Sequence, residues 1–160
     1  IDGLKSADIE KDRRLHENKY EESDKSVFYL IDGHGGVYYL TTKEVWRTQN
    51  TYIIQETRQA RRGFLPSLRQ IQDGLFRLIF FGNINVLYRN GHQVKFQPRL
   101  SLFGSKVNGN LYLPCNDKDL DAFIRKNRHR ASEEEIEIIS KLRLEVEKNQ
   151  RFVVEIGQKL

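Results

Sequence analysis

The sequence predicts a mixed α/β fold of the α+β kind, in which helices flank a central sheet that is mostly antiparallel or mixed. Short runs of β-branched and aromatic residues begin at residue 27 and alternate with glycine-rich turns, which is typical of strands and hairpins. Two later segments carry leucine and isoleucine at helical spacing. Both begin with a capping-box pair, Ser67 with Gln70 and Ser132 with Glu135.

Length and composition indicate one folded domain. The chain has 160 residues, of which 38% are hydrophobic, and this is too apolar for a wholly disordered protein. It contains no methionine, so we expect it to be a piece of a longer protein. The lone Cys115 excludes an internal disulfide framework and a multi-cysteine zinc site. Without a long apolar run or a leader-like start, the expected location is cytoplasmic and reducing, with no membrane partner.

The first part of the domain is expected to be an arm followed by a β-meander. Residues 1–25 are dense in charge and predict a helix or arm, while residues 26–160 form the domain. Strands are predicted over 27–31, 37–40 and 51–55. If neighbouring strands pair in sequence order, they form an antiparallel meander.

Helices and hairpins follow the meander. The helix that Ser67 caps is expected to end at Gly82–Asn83, where both residues tolerate left-handed backbone. Asn90–Gly91 predicts a tight hairpin. Further elements are expected in this order: strands near 100–103 and 110–113, a helix over 117–126, a helix from the Ser132 cap to about Lys148, and a strand over 152–154.

Positive charge is concentrated in two places in a chain of formal net charge +5. Clustered arginine is typical of proteins that bind a phosphate backbone, although a basic solvated face is the simpler interpretation. The residues that we predict to contact nucleic acid are Arg61, Arg62, Arg69, Arg77, Arg125, Lys126, Arg128 and Arg130.

Two acids lie at predicted strand ends. Asp32 is in the turn that feeds the second strand, and Glu56 ends the third. If these strands pair as a hairpin, both carboxylates meet at one end of the sheet. Arg58 follows Glu56 on the same strand face, because side chains alternate with a period of two. Such a group can hold a divalent cation through oxygen ligands.

Residues 27–87 resemble a known nuclease superfamily. Ile31–Asp32–Gly33 followed by Glu56–Thr57–Arg58 resembles the PD-(D/E)xK signature. The continuation, from Leu65–Pro66–Ser67 to Asp73–Gly74–Leu75, is similar to a segment of type II restriction endonucleases. The resemblance implies a restriction-endonuclease-like fold and a metal-dependent DNA endonuclease, with the helix after Glu56 packed behind the sheet.

The resemblance also implies roles for particular residues. Asp32, Glu56 and the Thr57 carbonyl would hold Mg²⁺ or Mn²⁺. Arg58 stands where the family usually has lysine, and since arginine keeps its proton it would stabilise the transition state instead of generating hydroxide. The implied partners are double-stranded DNA, a second copy in a homodimer, and other domains of a longer parent chain.

Several alternatives stay open at this stage. Asp24 or Glu44 could replace Asp32 as the first acid. Tyr38, Tyr52 and the Arg61–Arg62 pair resemble the opening of a GIY-YIG nuclease, although the second motif lacks its glycine. The same basic residues also fit a non-catalytic nucleic-acid recognition module, or a domain that binds an acidic protein.

Overall fold

A computed structural model describes residues 18–19, 28–40, 42 and 44–158, and within these the chain forms ten strands and three helices. The strands are β1 (Asn18–Lys19), β2 (Phe28–Ile31), β3 (Val37–Leu40), β4 (Glu44–Arg47), β5 (Tyr52–Ala60), β6 (Leu87–Arg89), β7 (His92–Val94), β8 (Phe96–Gly104), β9 (Leu111–Leu113) and β10 (Val153–Gly157). The helices are α1 (Leu68–Gly82), α2 (Asp117–Asn127) and α3 (Glu133–Lys148). Apart from β1, the predicted arm over 1–25 lies outside the described residues.

The strands form two sheets, and the predicted mixed α/β class with flanking helices is confirmed. The larger sheet has the order β1-β4-β5-β8-β10-β9, and the smaller has the order β3-β2-β6-β7. In the larger sheet, β5, β8 and β10 are parallel neighbours, while the outer pairings are antiparallel. The smaller sheet is antiparallel throughout. The segment from β5 through α1 to β8 is therefore a parallel crossover with the β6–β7 hairpin inserted.

The predicted pairing of the second and third strands is wrong. β3 pairs with β2 in the smaller sheet, and β5 pairs with β4 and β8 in the larger one. The chain crosses between the sheets after Leu40 and forms β4, a short strand that the sequence interpretation missed. Asp32 therefore follows a strand of the smaller sheet while Glu56 lies in the larger one, and no hairpin brings the two carboxylates together.

Local signals predicted the helix starts better than the end of α1. Ser67 and Gln70 form the predicted capping box, and so do Ser132 and Glu135. The helix α1 does end at Gly82, but Asn83 keeps right-handed backbone at φ −90°. The Asn83 side-chain amide donates instead to the carbonyl of Ile79 at 2.9 Å, so a hydrogen bond replaces the expected left-handed turn.

The main core lies between one face of the larger sheet and the three helices. Leu100, Leu102, Val154 and Ile156 are almost fully buried there. The helix residues in the same cluster are Ile71, Leu78, Leu120, Phe123, Ile139, Leu142 and Val146. A smaller cluster around Phe28, Ile54, Phe81 and Leu87 joins the second sheet to the beginning of β5 and the end of α1.

Candidate nucleic-acid interface and acidic site

Strand β5 presents different chemistry on its two faces. Glu56 and Arg58 are level with Leu100 and Leu102 of β8, so they lie on the face that the helices cover. We call this the helical face of the larger sheet. Gln55 and the residues in step with it lie on the opposite face, because side chains alternate along a strand. That opposite face, which carries Glu44, Gln55, Thr57, Arg99, Ser101 and Glu155, is called the polar face below.

Glu56 is buried and paired with two arginines. Its Oε2 accepts from Arg58 NH1 at 3.0 Å, and its Oε1 lies 3.9 Å from Arg77 NH1 of α1. Helix α1, which packs behind the sheet, thus places the guanidinium of Arg77 near Glu56. Gly74 leaves room for Leu100, because a Cβ there would lie 2.7 Å from Leu100 Cδ1, whereas its distance of 3.5 Å from Arg58 Cγ is an ordinary contact.

Asp32 has a structural role in the β2–β3 turn. Its Oδ1 accepts from the backbone N–H groups of His34 and Gly36, each at 2.8 Å, and its Oδ2 accepts from the Tyr38 hydroxyl at 3.0 Å. These hydrogen bonds, led by the one from Gly36, hold the pKa of Asp32 below its usual value of 3.8. The Asp32 carboxylate therefore stabilises the β2–β3 turn through these hydrogen bonds.

In this structure the predicted metal ligands are engaged by other groups. Asp32 and Glu56 are in separate sheets, and the Thr57 carbonyl accepts from Arg58 NH1 at 2.9 Å. Of the other acids considered, Asp24 lies outside the described residues. Glu44 is on the strand next to Glu56 but level with Gln55, so it faces the opposite side of the sheet. Among the described residues, no three histidine, cysteine, aspartate or glutamate side chains gather into a group that could bind a metal.

The polar face holds a row of hydrogen-bonded side chains that the sequence interpretation missed. The Thr57 hydroxyl donates to Glu44 Oε2 at 2.7 Å, and Arg99 Nε donates to Gln55 Oε1 at 2.6 Å. Between β8 and β10, the Ser101 hydroxyl donates to Glu155 Oε2 at 2.9 Å. The alternation in Leu100–Ser101–Leu102 and Val154–Glu155–Ile156 was the available signal, but such alternation normally indicates solvent exposure, and these polar residues are buried.

Three loops meet at the carboxyl ends of β5 and β8. The Lys106 N–H donates to the carbonyl of Gly63 at 3.4 Å, and Arg130 NH1 donates to the carbonyl of Lys106 at 3.4 Å. Glu135 accepts from the Leu65 N–H through one oxygen and from the Ser132 N–H through the other. These contacts connect the loop after β5, the turn after β8 and the turn between α2 and α3.

The same three loops and the end of α2 carry a concentration of cations that we call the basic edge. Its residues are Arg61, Arg62, Lys106, Lys126, Arg128 and Arg130, all exposed. Lys106 was not predicted, because it stands alone in the sequence between the two clusters. Arg69 lies in the first turn of α1, near this edge. Arg77 is directed to Glu56, and Arg125 donates to the carbonyl of Asp121 on its own helix.

The structure gives local roles to the tyrosines and the cysteine. Tyr38 is exposed and donates to Asp32. Tyr52 packs edge-on against Phe28 and accepts a hydrogen bond from Arg89. Tyr38 and Tyr52 belong to different sheets, so this arrangement does not add support for a GIY-YIG site. Cys115 packs against the main core, and burial raises the pKa of its thiol to about 11.

Comparisons with models of known protein families, with curated proteins and with solved structures find no match to this chain. The fold and the site are therefore interpreted from their own chemistry. Across the described ranges, no helix combines the length and apolar character needed to cross a membrane.

Proposed function

We propose that this protein binds the phosphate backbone of double-stranded DNA through the basic edge. The observation that carries the proposal is the convergence at one end of the larger sheet of arginines that are far apart in the sequence, Arg61 and Arg62 with Arg128 and Arg130. Clustered cations attract the phosphate backbone and release its counterions on binding. The backbone of Lys106 connects the two groups, because its N–H donates to Gly63 and its carbonyl accepts from Arg130.

The architecture of the edge favours a duplex over a single strand. The loops are braced by hydrogen bonds, so the cations are carried on a fixed backbone. Proteins that bind single strands usually add aromatic side chains on which bases stack. The stretches 61–63, 105–110 and 126–130 contain no phenylalanine, tyrosine or tryptophan. A positively charged surface without aromatic side chains therefore fits the regular phosphate backbone of a duplex better than the exposed bases of a single strand.

The two sides of the basic edge should not contribute equally. The first turn of α3 contains Glu133, Glu134 and Glu135, next to Arg128 and Arg130. The first turn of α1 contains no acidic residue. Because carboxylates repel phosphate, we expect the DNA backbone to lie closer to Arg61 and Arg62 than to the α2–α3 turn.

DNA binding can be tested by fluorescence anisotropy with a short labelled duplex over a range of salt concentrations. The wild-type chain should bind in the presence of EDTA, with affinity falling steeply as salt rises. The double variant Arg61→Ala/Arg62→Ala should bind more weakly and show a salt slope smaller by roughly two. The double variant Arg128→Ala/Arg130→Ala should have a smaller effect on affinity.

The matched control is Lys95→Ala/Lys148→Ala. It removes the same charge from two exposed positions that precede β8 and end α3, away from the edge. It should keep most of the wild-type affinity. Equal loss in all three double variants would mean that net charge alone drives binding and would remove the basic edge from the proposal. No binding, or binding insensitive to salt, would favour an acidic protein as the partner.

A second candidate function is cleavage of the bound DNA by a metal-dependent endonuclease centred on Glu56. It is favoured by the position of Glu56–Thr57–Arg58 within a strand that is followed by a helix packed behind it, as the PD-(D/E)xK resemblance implies. Because Arg58 and Arg77 each pair with one oxygen of the Glu56 carboxylate, we assign no step of cleavage to a metal ion.

Cleavage can be tested by incubating supercoiled plasmid with the protein and Mg²⁺ or Mn²⁺. An endonuclease should nick or linearise the plasmid, and Glu56→Gln should abolish the cutting while DNA binding persists. The companion variant Glu44→Gln tests whether the acid on the adjacent strand takes part. Cutting that survives Glu56→Gln would exclude this site. Absence of cutting with intact binding would leave a non-catalytic recognition module.

A further inference from the structure

We infer that Asn127 is a positioning residue for DNA binding, because it fixes the turn after β8 (residues 105–110) against the end of α2. This role rests on the DNA binding proposed above, since Asn127 would act through its charged neighbours and not by touching DNA. Asn127 is only 1% exposed, although it lies between the exposed cations Lys126 and Arg128 in the sequence. A buried polar side chain within a run of charged residues has to be explained by the groups that it binds.

The side chain of Asn127 joins two segments of backbone. Its Oδ1 accepts from the Asn108 N–H at 2.8 Å, and its Nδ2 donates to the Asn108 carbonyl at 3.0 Å. The same Nδ2 donates to the carbonyl of Phe123, one turn earlier in α2, at 2.9 Å. A single amide therefore binds both backbone groups of one residue in the turn after β8 and ties that residue to the helix.

The backbone of Asn127 holds the turn between α2 and α3. Its carbonyl accepts from the Arg130 N–H at 2.8 Å and from the Ala131 N–H at 3.0 Å. These hydrogen bonds keep the chain tightly folded after α2, so the backbone that carries Arg128 and Arg130 is fixed next to the buried amide. Asn127 thus connects two of the three loops that form the basic edge.

Two further contacts hold the turn after β8 on this side. Val107 is 1% exposed and belongs to the main core, which anchors the middle of the turn. Gly109 has left-handed backbone at φ 84°, and a Cβ there would lie 3.3 Å from Lys126 Nζ. The ammonium group of Lys126 therefore lies beside this turn, which also carries Lys106. The two lysines belong to the two segments that Asn127 joins.

Fixing these segments favours DNA binding, because cations that are already held in place lose less conformational entropy on binding than cations on mobile loops. Asn127 itself is uncharged. Its replacement by another uncharged residue leaves the net charge of the protein unchanged, so any loss of affinity comes from the position of the neighbouring cations. The substitution therefore separates the geometry of the basic edge from its charge.

Fluorescence anisotropy with the labelled duplex and the same range of salt concentrations tests this role. Asn127→Ala should raise the Kd roughly fivefold or more and reduce the salt slope by roughly one, as the loss of one phosphate contact does. Leu87→Ala is the matched structural control, because Leu87 is fully buried in the smaller cluster at the second sheet. It should lower the free energy of unfolding in urea but leave both the Kd and the salt slope unchanged.

A double-mutant cycle tests whether Asn127 acts through its neighbours. Residues that belong to one hydrogen-bonded network usually have non-additive effects. When Asn127→Ala is added to Arg128→Ala/Arg130→Ala, it should therefore weaken binding by a smaller factor than it does in the wild type. An undiminished factor in the triple variant would overturn the positioning role.

The possible outcomes distinguish this role from the proposed function. A wild type that binds the duplex while Asn127→Ala keeps its affinity and salt slope would overturn the positioning role alone, and so would an equal loss of affinity in Leu87→Ala. A wild type that does not bind would overturn the proposed function and the positioning role together. Circular dichroism checks that each variant is folded. If Asn127→Ala does not fold, Asn127→Ser, which keeps a hydroxyl at the site, is held to the same expected results.

Discussion

The helical face and the polar face of the larger sheet satisfy buried polar groups in different ways, although both are built from the same strands. On the helical face, Glu56 is level with Leu100 and is neutralised by Arg58 and Arg77. On the polar face, Ser101 and Glu155 are also buried but are satisfied by hydrogen bonds between neighbouring strands. The comparison shows that one strand can supply apolar packing on one side and a polar row on the other, with the two kinds of residue adjacent in sequence.

The comparison is tested most directly at two adjacent residues of β8. Leu102→Ala should lower the free energy of unfolding by about 3 kcal/mol, because it opens a cavity against the helices. Ser101→Ala should lower it by only about 1 kcal/mol, because it removes one hydrogen bond to Glu155 and little volume. Urea denaturation monitored by circular dichroism measures both.

The order of these two effects is what matters. Both residues are fully buried, so exposure cannot account for a difference between them. A larger loss for Ser101→Ala would mean that the polar row stabilises the sheet more than helix packing does, and the comparison would have to be reversed.

A second test concerns the ion pair on the helical face. Glu56→Gln should destabilise the protein by about 2 kcal/mol, since it leaves the guanidinium of Arg58 largely buried without its counter-charge. The loss should be smaller than for a fully buried pair, because Arg77 is half-exposed and can turn to solvent. Urea denaturation again gives the value.

Two further variants control for the loss of charge itself. Glu137→Gln breaks the exposed pair with Lys141 and should have a much smaller effect. The double variant Glu56→Gln/Arg58→Met should recover part of the stability, because it removes the stranded cation along with its partner. A double variant that is less stable than Glu56→Gln alone would show that the alkyl chain of Arg58, and not its charge, holds this part of the structure.

A third test asks whether Gly74 is present because Leu100 needs the space. A mid-helix glycine costs roughly 1 kcal/mol relative to alanine, so Gly74→Ala would ordinarily stabilise α1. Here the new Cβ would lie 2.7 Å from Leu100 Cδ1, and we expect a net loss of about 1 kcal/mol. Gly33→Ala is the control, because nothing lies within 4 Å of its Cβ position. A gain in stability from Gly74→Ala would mean that the core yields easily at this point.

The sequence predicted the local features of the fold well. The capping boxes at Ser67 and Ser132 were correct, and so was the tight turn at Asn90–Gly91, whose φ angles of 50° and 79° match that hairpin. Each of these depends on a few neighbouring residues, so the information is present in a short stretch.

The long-range features could not be predicted in the same way. Because β4 was missed, the sequence interpretation placed Asp32 and Glu56 in one sheet, whereas they belong to different parts of the structure. Strand pairing depends on long-range contacts that no local pattern encodes. The basic edge was predicted as two separate clusters. The contacts that join them involve backbone groups of Gly63 and Lys106, which carry no side-chain signal.

Asp32 adds a third case to the comparison of the two faces, because its carboxylate is stabilised by hydrogen bonds and not by an arginine. The N–H groups of Gly36 and His34 and the hydroxyl of Tyr38 favour its charged form, so its pKa should lie below 3.8. Its contribution to stability is therefore fully present above about pH 4 and is lost as the pH falls through the lowered pKa. An NMR titration of the carboxyl carbon measures this value.

Tyr38→Phe serves as the control, because it removes only the hydroxyl donor and leaves both backbone donors in place. The pKa of Asp32 should rise part of the way toward 3.8 in this variant. If the wild-type pKa is at or above 3.8, the hydrogen bonds do not hold in solution, and Asp32 is again a free acid beside an exposed turn. If Tyr38→Phe leaves the pKa of Asp32 unchanged, the two backbone N–H donors alone account for the lowered value. The carboxylate would then be stabilised by hydrogen bonds, as on the polar face, and not by a cation, as at Glu56.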